Sequence, residues 1–440
     1  MAGVDRPESR TERNPNMSDY QPRDFFADLS VVTDPYPHFD ELRSRCPVHP
    51  ARHPGVMEVT GYDEAVEIYR DTDAFSSCNS LGGPFPGLPV EVEGDDADAL
   101  IEQYRGLMPM SEFLVTMDGA DHSASRGLLR RLLTPNRLKA NEEAMWDIAN
   151  RHLDEFIANG TCELIRDYVG SFSNEVIADL LGVPDEDRPE FREQLDQGKS
   201  LPSVEDGEKV LSHNPLEYLH GRFAAYVEDR RAAPREDVLT QLATATYPDG
   251  TLPEVDEIVR TSTFLFAAGG DTTGRLITAA LRIVAENPDI QAALRADRSL
   301  IPMFIEEVLR LESPTMSDFR MARKTTEVGG VRIPAGTSVM IHPGAANRDP
   351  RRFPDPAELR IDRPNVREHI AFGRGNHSCP GGPLARVEAK VTLECFLDRT
   401  ADIRISEAHH GPADAREFTY EPLYILRGLA ELHLEFTPAG

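Results

Sequence analysis

No run of this 440-residue chain approaches the roughly 20 apolar residues that cross a bilayer, so no membrane anchor is expected. The stretch from Met1 to about Tyr20 is polar and charged, without the apolar core of a signal peptide. It reads as a disordered tail (1–20) ahead of one domain (21–440). Cysteine is scarce. Cys46, Cys78, Cys162, Cys379 and Cys395 form an odd set without disulfide or metal spacing, which excludes a stapled secreted scaffold and suits a reducing cytoplasm. Cations are few as well: 47 Lys and Arg against 75 Asp and Glu leave a net charge of −28, which excludes nucleic-acid binding as the main role. No Pro-, Gly- or Ser-rich linker cuts the chain, and no repeat or low-complexity tract appears. With 40% hydrophobic residues it is expected to build one sizeable core as a monomer.

One interval departs from the acidity. From His122 to Asn141 there is no acid, while Arg126, Arg130, Arg131, Arg137 and Lys139 fall there. On so acidic a chain this is either a docking surface or an ordinary basic helix face.

Helical periodicity dominates from 140 to 300. A helix opens at Tyr36, a strand alternates over Gly55–Thr60, and a short helix follows Gly61. Cys78 to about Gly106 reads as a long irregular segment, a kind that is functional or disordered. A hairpin is predicted from Val331–Ile333 through a type I turn at Pro334-Ala335-Gly336 to Ser338–Ile341. A Pro-rich irregular stretch, Asp349 to Pro364, follows.

The most informative run is Phe372-Gly373-Arg374-Gly375-Asn376-His377-Ser378-Cys379-Pro380-Gly381-Gly382. Its glycines let backbone turn tightly against a bulky ligand. It delivers one thiol to the start of a helix, whose positive end is expected to lower the thiol pKa. A thiolate is the axial ligand that pushes electron density into haem iron. A lone cysteine in such a turn reads as an inert packed thiol; the joint pattern of eleven residues does not.

A second pattern lies in a helix expected over Glu254–Glu286, roughly 45 Å long. Its apolar middle carries Ala268-Gly269-Gly270-Asp271-Thr272-Thr273. Two adjacent glycines cost about 1 kcal/mol each in a helix, and a threonine bonds back to the carbonyl four residues earlier. The run is either a packing kink or a local opening where hydroxyl and carboxyl supply protons.

These runs resemble cytochrome P-450: the first its haem-binding loop, Phe-x-x-Gly-x-x-x-Cys-x-Gly, the second its oxygen-activation motif. The likeness extends from Asp34-Pro35-Tyr36 to Arg427-Gly428-Leu429. Glu307-Val308-Leu309-Arg310 resembles the family's Glu-x-x-Arg pair, with Arg363 as the arginine that joins it. His122-Ser123-Ala124-Ser125-Arg126 resembles the family's His-x-x-x-Arg helix, although Ala120 stands where a proline is usual. The first strand, Val56-Met57-Glu58-Val59, lacks the tryptophan often found there.

The resemblance implies a mainly α fold with small β sheets, a triangular helical body holding haem between two long helices. It implies haem b with Cys379 as iron ligand and with Ala268, Phe372, Gly373 and Gly381 as further haem-binding residues. His122, Arg126, Arg320 and His377 would meet the propionates, and Glu307, Arg310 and Arg363 would hold the cysteine loop. Asp271 and Thr272 would be catalytic, in insertion of one oxygen atom of dioxygen into a small apolar organic substrate, terpenoid, steroid or fatty-acid-like. Pocket positions by resemblance are the Gly82–Met110 loop, the segment around 201–216, Phe264, Ala267, Ala268, 314–317 and 424–426. No flavin or iron–sulfur pattern is present, so electrons would come from a ferredoxin and an NAD(P)H-dependent ferredoxin reductase, docking over Arg130 and Arg131. Alternatives are a peroxide-driven or non-oxygenase haem-thiolate enzyme and a haem-binding sensor. Pro380 has no N–H, so the sulfur is expected to lack the donor immediately after it.

Overall fold

The computed structural model describes residues 23–129, 134–191, 203–206, 214 and 216–439. The tail read at 1–20 lies outside them, as do Arg130, Arg131 and most of the segment around 201–216.

Helices form the body. The Val255–Glu286 helix runs 32 residues, with Asp256 and Glu257 in its first turn, where the positive helix end favours acids. It stops before Pro288, because a residue preceding proline is pushed out of helical geometry. It packs against the helices Gly170–Leu181, Glu217–Ala232 and Gly382–Arg399. Two glycines set its closest crossing. A Cβ on Gly270 would stand 2.0 Å from Asn174 Oδ1, and one on Gly274 would stand 2.7 Å from Val169 Cγ1. The helix runs unbroken through Gly269–Thr273. The expected back-bond is there, with Thr272 Oγ1 donating to Ala268 O at 2.9 Å.

Ten strands are described: β1 (Val48–Pro50), β2 (Val56–Val59), β3 (Phe75–Ser76), β4 (Thr161–Glu163), β5 (Asp318–Ala322), β6 (Thr326–Val328), β7 (Val331–Ile333), β8 (Ser338–Ile341), β9 (Thr400–Ile405) and β10 (His433–Pro438). They make a five-stranded sheet in the order β1-β2-β8-β5-β3, a three-stranded sheet β4-β10-β9 and the pair β6-β7.

The expected hairpin is not formed. β7 pairs with β6, Val328 opposite Val331. The two residues between them, Gly329 and Gly330, both have positive φ, as a tight two-residue hairpin loop requires. β8 is buried at every position and sits inside the larger sheet, parallel to β2 and antiparallel to β5. The turn after β7 also differs from type I. Thr337 N–H donates to Pro334 O, which places Gly336 third in the turn with φ +79°, the residue a type II turn reserves for glycine.

Two more corrections are local. The segment read as irregular from Cys78 to Gly106 contains a helix, Asp98–Tyr104. The helical region is interrupted by β4, held by its distant partner β10.

Candidate active site

The cysteine loop is folded by its own backbone. Cys379 N–H donates to Phe372 O at 2.8 Å, and Gly373 N–H to Ile370 O at 2.9 Å. Gly373 and Gly375 have φ of +65° and +71°, a region open to glycine. A Cβ on Gly375 would also stand 2.5 Å from Tyr69 O. The chain enters the Gly382–Arg399 helix three residues after Cys379.

Cys379 is solvent-accessible, yet protein surrounds it closely enough that desolvation dominates its acidity. It therefore lines a hollow inside the molecule. The expected lowering of its pKa is not found. Burial pushes the thiol up, and the backbone N–H groups of Gly381 and Gly382, with the Arg126 and Arg386 charges, only partly offset this. A bound cation would reverse the balance, because a metal-bound thiol is deprotonated outright.

Beside the sulfur stands a cationic cluster. His122 is buried, and its ring stacks on His377 with centroids 3.8 Å apart. Arg126 donates through Nη2 to Ser378 O. Arg320, on β5, reaches Asp318 Oδ1 at 2.9 Å and Ser80 Oγ at 3.2 Å, and its guanidinium lies 5.2 Å from the Tyr69 ring centre. Burial first, then the Arg320, His122 and Arg126 charges, hold the His377 pKa down to about 3, with Asp118 opposing. The Arg320 and Arg126 charges in that cluster are what would favour an anion there.

The basic interval is thus partly turned inward. Arg126 serves the cysteine loop, and Arg137 donates to Glu236 O at 3.1 Å, while Lys139 is exposed.

The second wall is the middle of the Val255–Glu286 helix. There Phe264, Leu265, Ala267, Ala268, Gly269 and Thr272 are partly accessible, although the flanking Phe266, Gly270 and Thr273 are buried. The ring of Phe264 meets that of Phe113, centroids 6.2 Å apart, three residues past the Gly82–Met110 loop read as pocket lining. Asp271 is 44% exposed and ion-paired with Arg275 at 3.1 Å. This helix and the helix after Cys379 pack on each other.

Glu307, Arg310 and Arg363 come together as read. Arg310 grips Glu307 twice at 2.7 Å, and Arg363 Nε lies 3.2 Å from Glu307 Oε1, all three side chains at 2% exposure or less. Both arginines then collect carbonyls of the Pro-rich stretch: Arg310 those of Pro356 and Glu358, Arg363 those of Pro354, Asp355 and Glu358. The cluster fixes an irregular segment that has no ladder of its own.

A neighbouring network escaped the sequence reading. Glu306 bonds Arg386 at 2.5 and 2.9 Å and His369 at 2.9 Å, and Arg386 lies 4.6 Å from the Phe372 ring centre. The bonds to His369 and Arg386 outweigh burial and hold the Glu306 carboxyl down to about 2. Only the acid beside Glu307 hinted at it.

The donor set suits a flat, dianionic, iron-bearing ring. It offers one soft sulfur, small residues on the facing helix, and the cations Arg126 and Arg320 beside the sulfur's loop. Such a hollow defines a haem-thiolate protein.

Comparison with known proteins narrows the class. The family model described as cytochrome P450 matches residues 213–400. Cytochrome P450 144 of Mycobacterium tuberculosis is 32% identical over 391 residues, 87% of this chain and 86% of that protein. The 6-deoxyerythronolide B hydroxylase of Saccharopolyspora erythraea is 31% identical over 92% of this chain and 96% of that one. The solved structure of Mycobacterium marinum cytochrome P450 CYP150A6, in the substrate-free form, matches with a TM-score of 0.89 at 59% identity, covering 95% of this chain and 99% of that one. The chain belongs to the cytochrome P450 family. It is a monooxygenase, an oxidoreductase whose cofactor is haem b. No helix among the described residues is long and apolar enough to cross a membrane.

Proposed function

We propose that this enzyme hydroxylates or epoxidises an apolar small molecule of terpenoid, steroid or fatty-acid-like kind, in the cytoplasm, as a monomer whose catalytic domain is 21–440. The observation that carries the reading is the partly accessible, nearly uncharged middle of the Val255–Glu286 helix, where Phe264, Leu265, Ala267 and Ala268 adjoin a single acid, Asp271. An apolar ligand loses nothing against such a wall, whereas a charged one would be left unpaired. The name of one relative, 6-deoxyerythronolide B hydroxylase, fits an organic substrate of this polarity.

Each residue has a part. Cys379 would hold the haem iron, with the Gly381 and Gly382 N–H groups moderating its charge. Phe372, Gly373 and Ala268 would pack against the haem. His122, Arg126, Arg320 and His377 would meet its carboxylates. Haem supplies the oxygen chemistry when bound; the protein positions substrate, excludes water and moves protons. Thr272 holds a hydroxyl and Asp271 a carboxyl in the groove for that transfer. Glu307, Arg310 and Arg363 keep the loop rigid.

Electrons come from a small acidic ferredoxin and its NAD(P)H-dependent reductase. Arg130 and Arg131 carry the docking charge, and reversing both slows first electron transfer and flattens its salt dependence.

The test is spectroscopic. Titrating apolar compound panels should displace the iron-bound water and move the haem band, and the displacing compounds should yield products with one added oxygen. Displacement without any product, given a working ferredoxin and reductase, rejects the reading. Cys379→His should abolish the red-shifted band of the reduced carbon monoxide complex, and survival of that band removes Cys379 as ligand.

A further inference from the structure

Arg275 lies one helical turn beyond Asp271 and serves two carboxylates with one nitrogen. Its Nη2 stands 3.1 Å from Asp271 Oδ1 and 2.5 Å from Glu421 Oε2. The arginine side chain is 8% exposed, whereas its partners Asp271 and Glu421 are 44% and 28% exposed. Its berth exists because position 428 has no side chain: a Cβ on Gly428 would stand 2.5 Å from Arg275 Nη1 and 2.9 Å from its Cγ. Glu421 N–H in turn donates to Gly428 O at 3.0 Å, which fixes the carboxylate and the berth in one loop.

That loop is stitched to two segments read by resemblance as pocket lining. Val204 N–H donates to Pro422 O at 2.8 Å, Met316 N–H to Ile425 O at 2.7 Å, and Ser317 Oγ to Tyr424 O at 2.6 Å. A chain of direct bonds therefore runs from Val204 through the 421–427 loop and Arg275 to Asp271.

We propose that Arg275 is a positioning residue for Asp271, and that Glu421 competes for it so that the loop behind the substrate sets how firmly the groove acid is held. The proposal rests on the assignment of Asp271 to proton transfer. A charge-assisted bond weakens as it lengthens. Glu421 makes the shorter contact, at 2.5 Å, whereas the two Asp271 oxygens stand farther off, at 3.1 and 3.3 Å. A substrate that shifts the loop shifts Glu421, and the share held by Asp271 changes with it. Without the Glu421 charge, Arg275 pins Asp271 as a carboxylate and slows its exchange of protons.

The test uses the haem-loaded full chain with its reductase system. Glu421→Gln, which is close to isosteric, should slow turnover by about fivefold, as loss of the Asp271 carboxyl should and in the range of ordinary coupling between sites. Arg275→Lys, keeping charge without the fork, should fall between wild type and Arg275→Met. Adding Glu421→Gln to Asp271→Asn should change nothing further, and effects that multiply overturn the proposal. A second readout needs no turnover. In the diamagnetic reduced carbon monoxide form with ¹³C-labelled aspartate, the carboxyl resonance lost in Asp271→Asn should move in Glu421→Gln and on adding any compound that displaces the iron-bound water. A resonance that stays in place in both overturns the coupling even if hydroxylation is intact. Absence of product from wild type, with the resonance moving, rejects the substrate reading and leaves the coupling standing.

Discussion

Glu388 and Ser173 adjoin in the core, and among the described residues neither Glu388 Oε2 nor Ser173 Oγ finds a well-formed hydrogen-bond partner. Both residues are 1% exposed. Burial pushes the Glu388 carboxyl well above its ordinary value, and the Ser173 hydroxyl opposes this only weakly. The folded protein thus keeps a proton on Glu388 that the unfolded chain releases above about pH 4.3.

The sign of the linkage follows. The folded state binds the extra proton, so its contribution is fully present below the unfolded pKa and is lost as pH rises toward the folded one. Glu388→Gln removes that dependence. Its thermal stability relative to wild type should be near even at pH 5 and then improve by about 1.4 kcal/mol per pH unit until the folded pKa is reached. Melting curves of both proteins from pH 5 to 8 decide this. A constant difference would mean that Glu388 is already ionised in the fold.

Gly274 gives a packing prediction. Alanine there gains about 1 kcal/mol of helix propensity. Its Cβ would stand 2.7 Å from Val169 Cγ1, however, and a β-branched valine has little rotamer freedom to yield. Overpacking of about 1–3 kcal/mol should win, so Gly274→Ala should melt lower than wild type. Val169→Ala should then cost less in the Gly274→Ala protein than in wild type. Strict additivity in the four melting points would show that the two positions do not collide.

How much of this was legible depended on how local each signal is. The cysteine loop, the long helix and Glu307–Arg310 declare themselves within a dozen residues; the helix spans nearly the expected range but without the kink or opening, and Glu307 and Arg310 pair as expected. β8 does not: its partners β2 and β5 come from distant sequence, and Pro334-Ala335-Gly336 looked like a hairpin turn because nothing nearby showed that β8 is central. Gly329-Gly330 between Val328 and Val331 was the usable signal and was passed over. Arg275 and Glu421 are 146 residues apart, and Glu306 and Arg386 are 80, so only folding brings them together. The thiol's acidity was misread for another reason: the helix end is visible in sequence, but the desolvation that outweighs it is not.

Thr272→Ala should leave the fold nearly unchanged, since the hydroxyl's bond to Ala268 O is one of about 1 kcal/mol. Substrate binding should also persist. Electrons should pass to peroxide instead of product, because the hydroxyl orders the proton donor in the groove, whereas Asp271→Asn should slow turnover. Measuring product, peroxide and NAD(P)H together separates the two. Tight coupling in Thr272→Ala would remove the hydroxyl from the mechanism.

Pro380 bears on the iron's potential. The backbone N–H groups of Gly381 and Gly382 favour the thiolate form of Cys379 against burial. The residue between cannot contribute, because proline has no N–H. Each bond to a ligating sulfur draws charge from it and so tunes the reduction potential. With no N–H at position 380, a thiolate that held iron here would push harder on it and lower its potential. Pro380→Leu restores an N–H at similar size, and the loop's other anchors, Cys379 N–H to Phe372 O and Gly373 N–H to Ile370 O, do not involve position 380. Redox titration of the substrate-free protein should therefore show a higher potential, with melting temperature close to wild type. If proline acts only by fixing φ, the variant should instead melt lower at an unchanged potential. A potential that stays put or falls would show that the missing donor does not tune this iron.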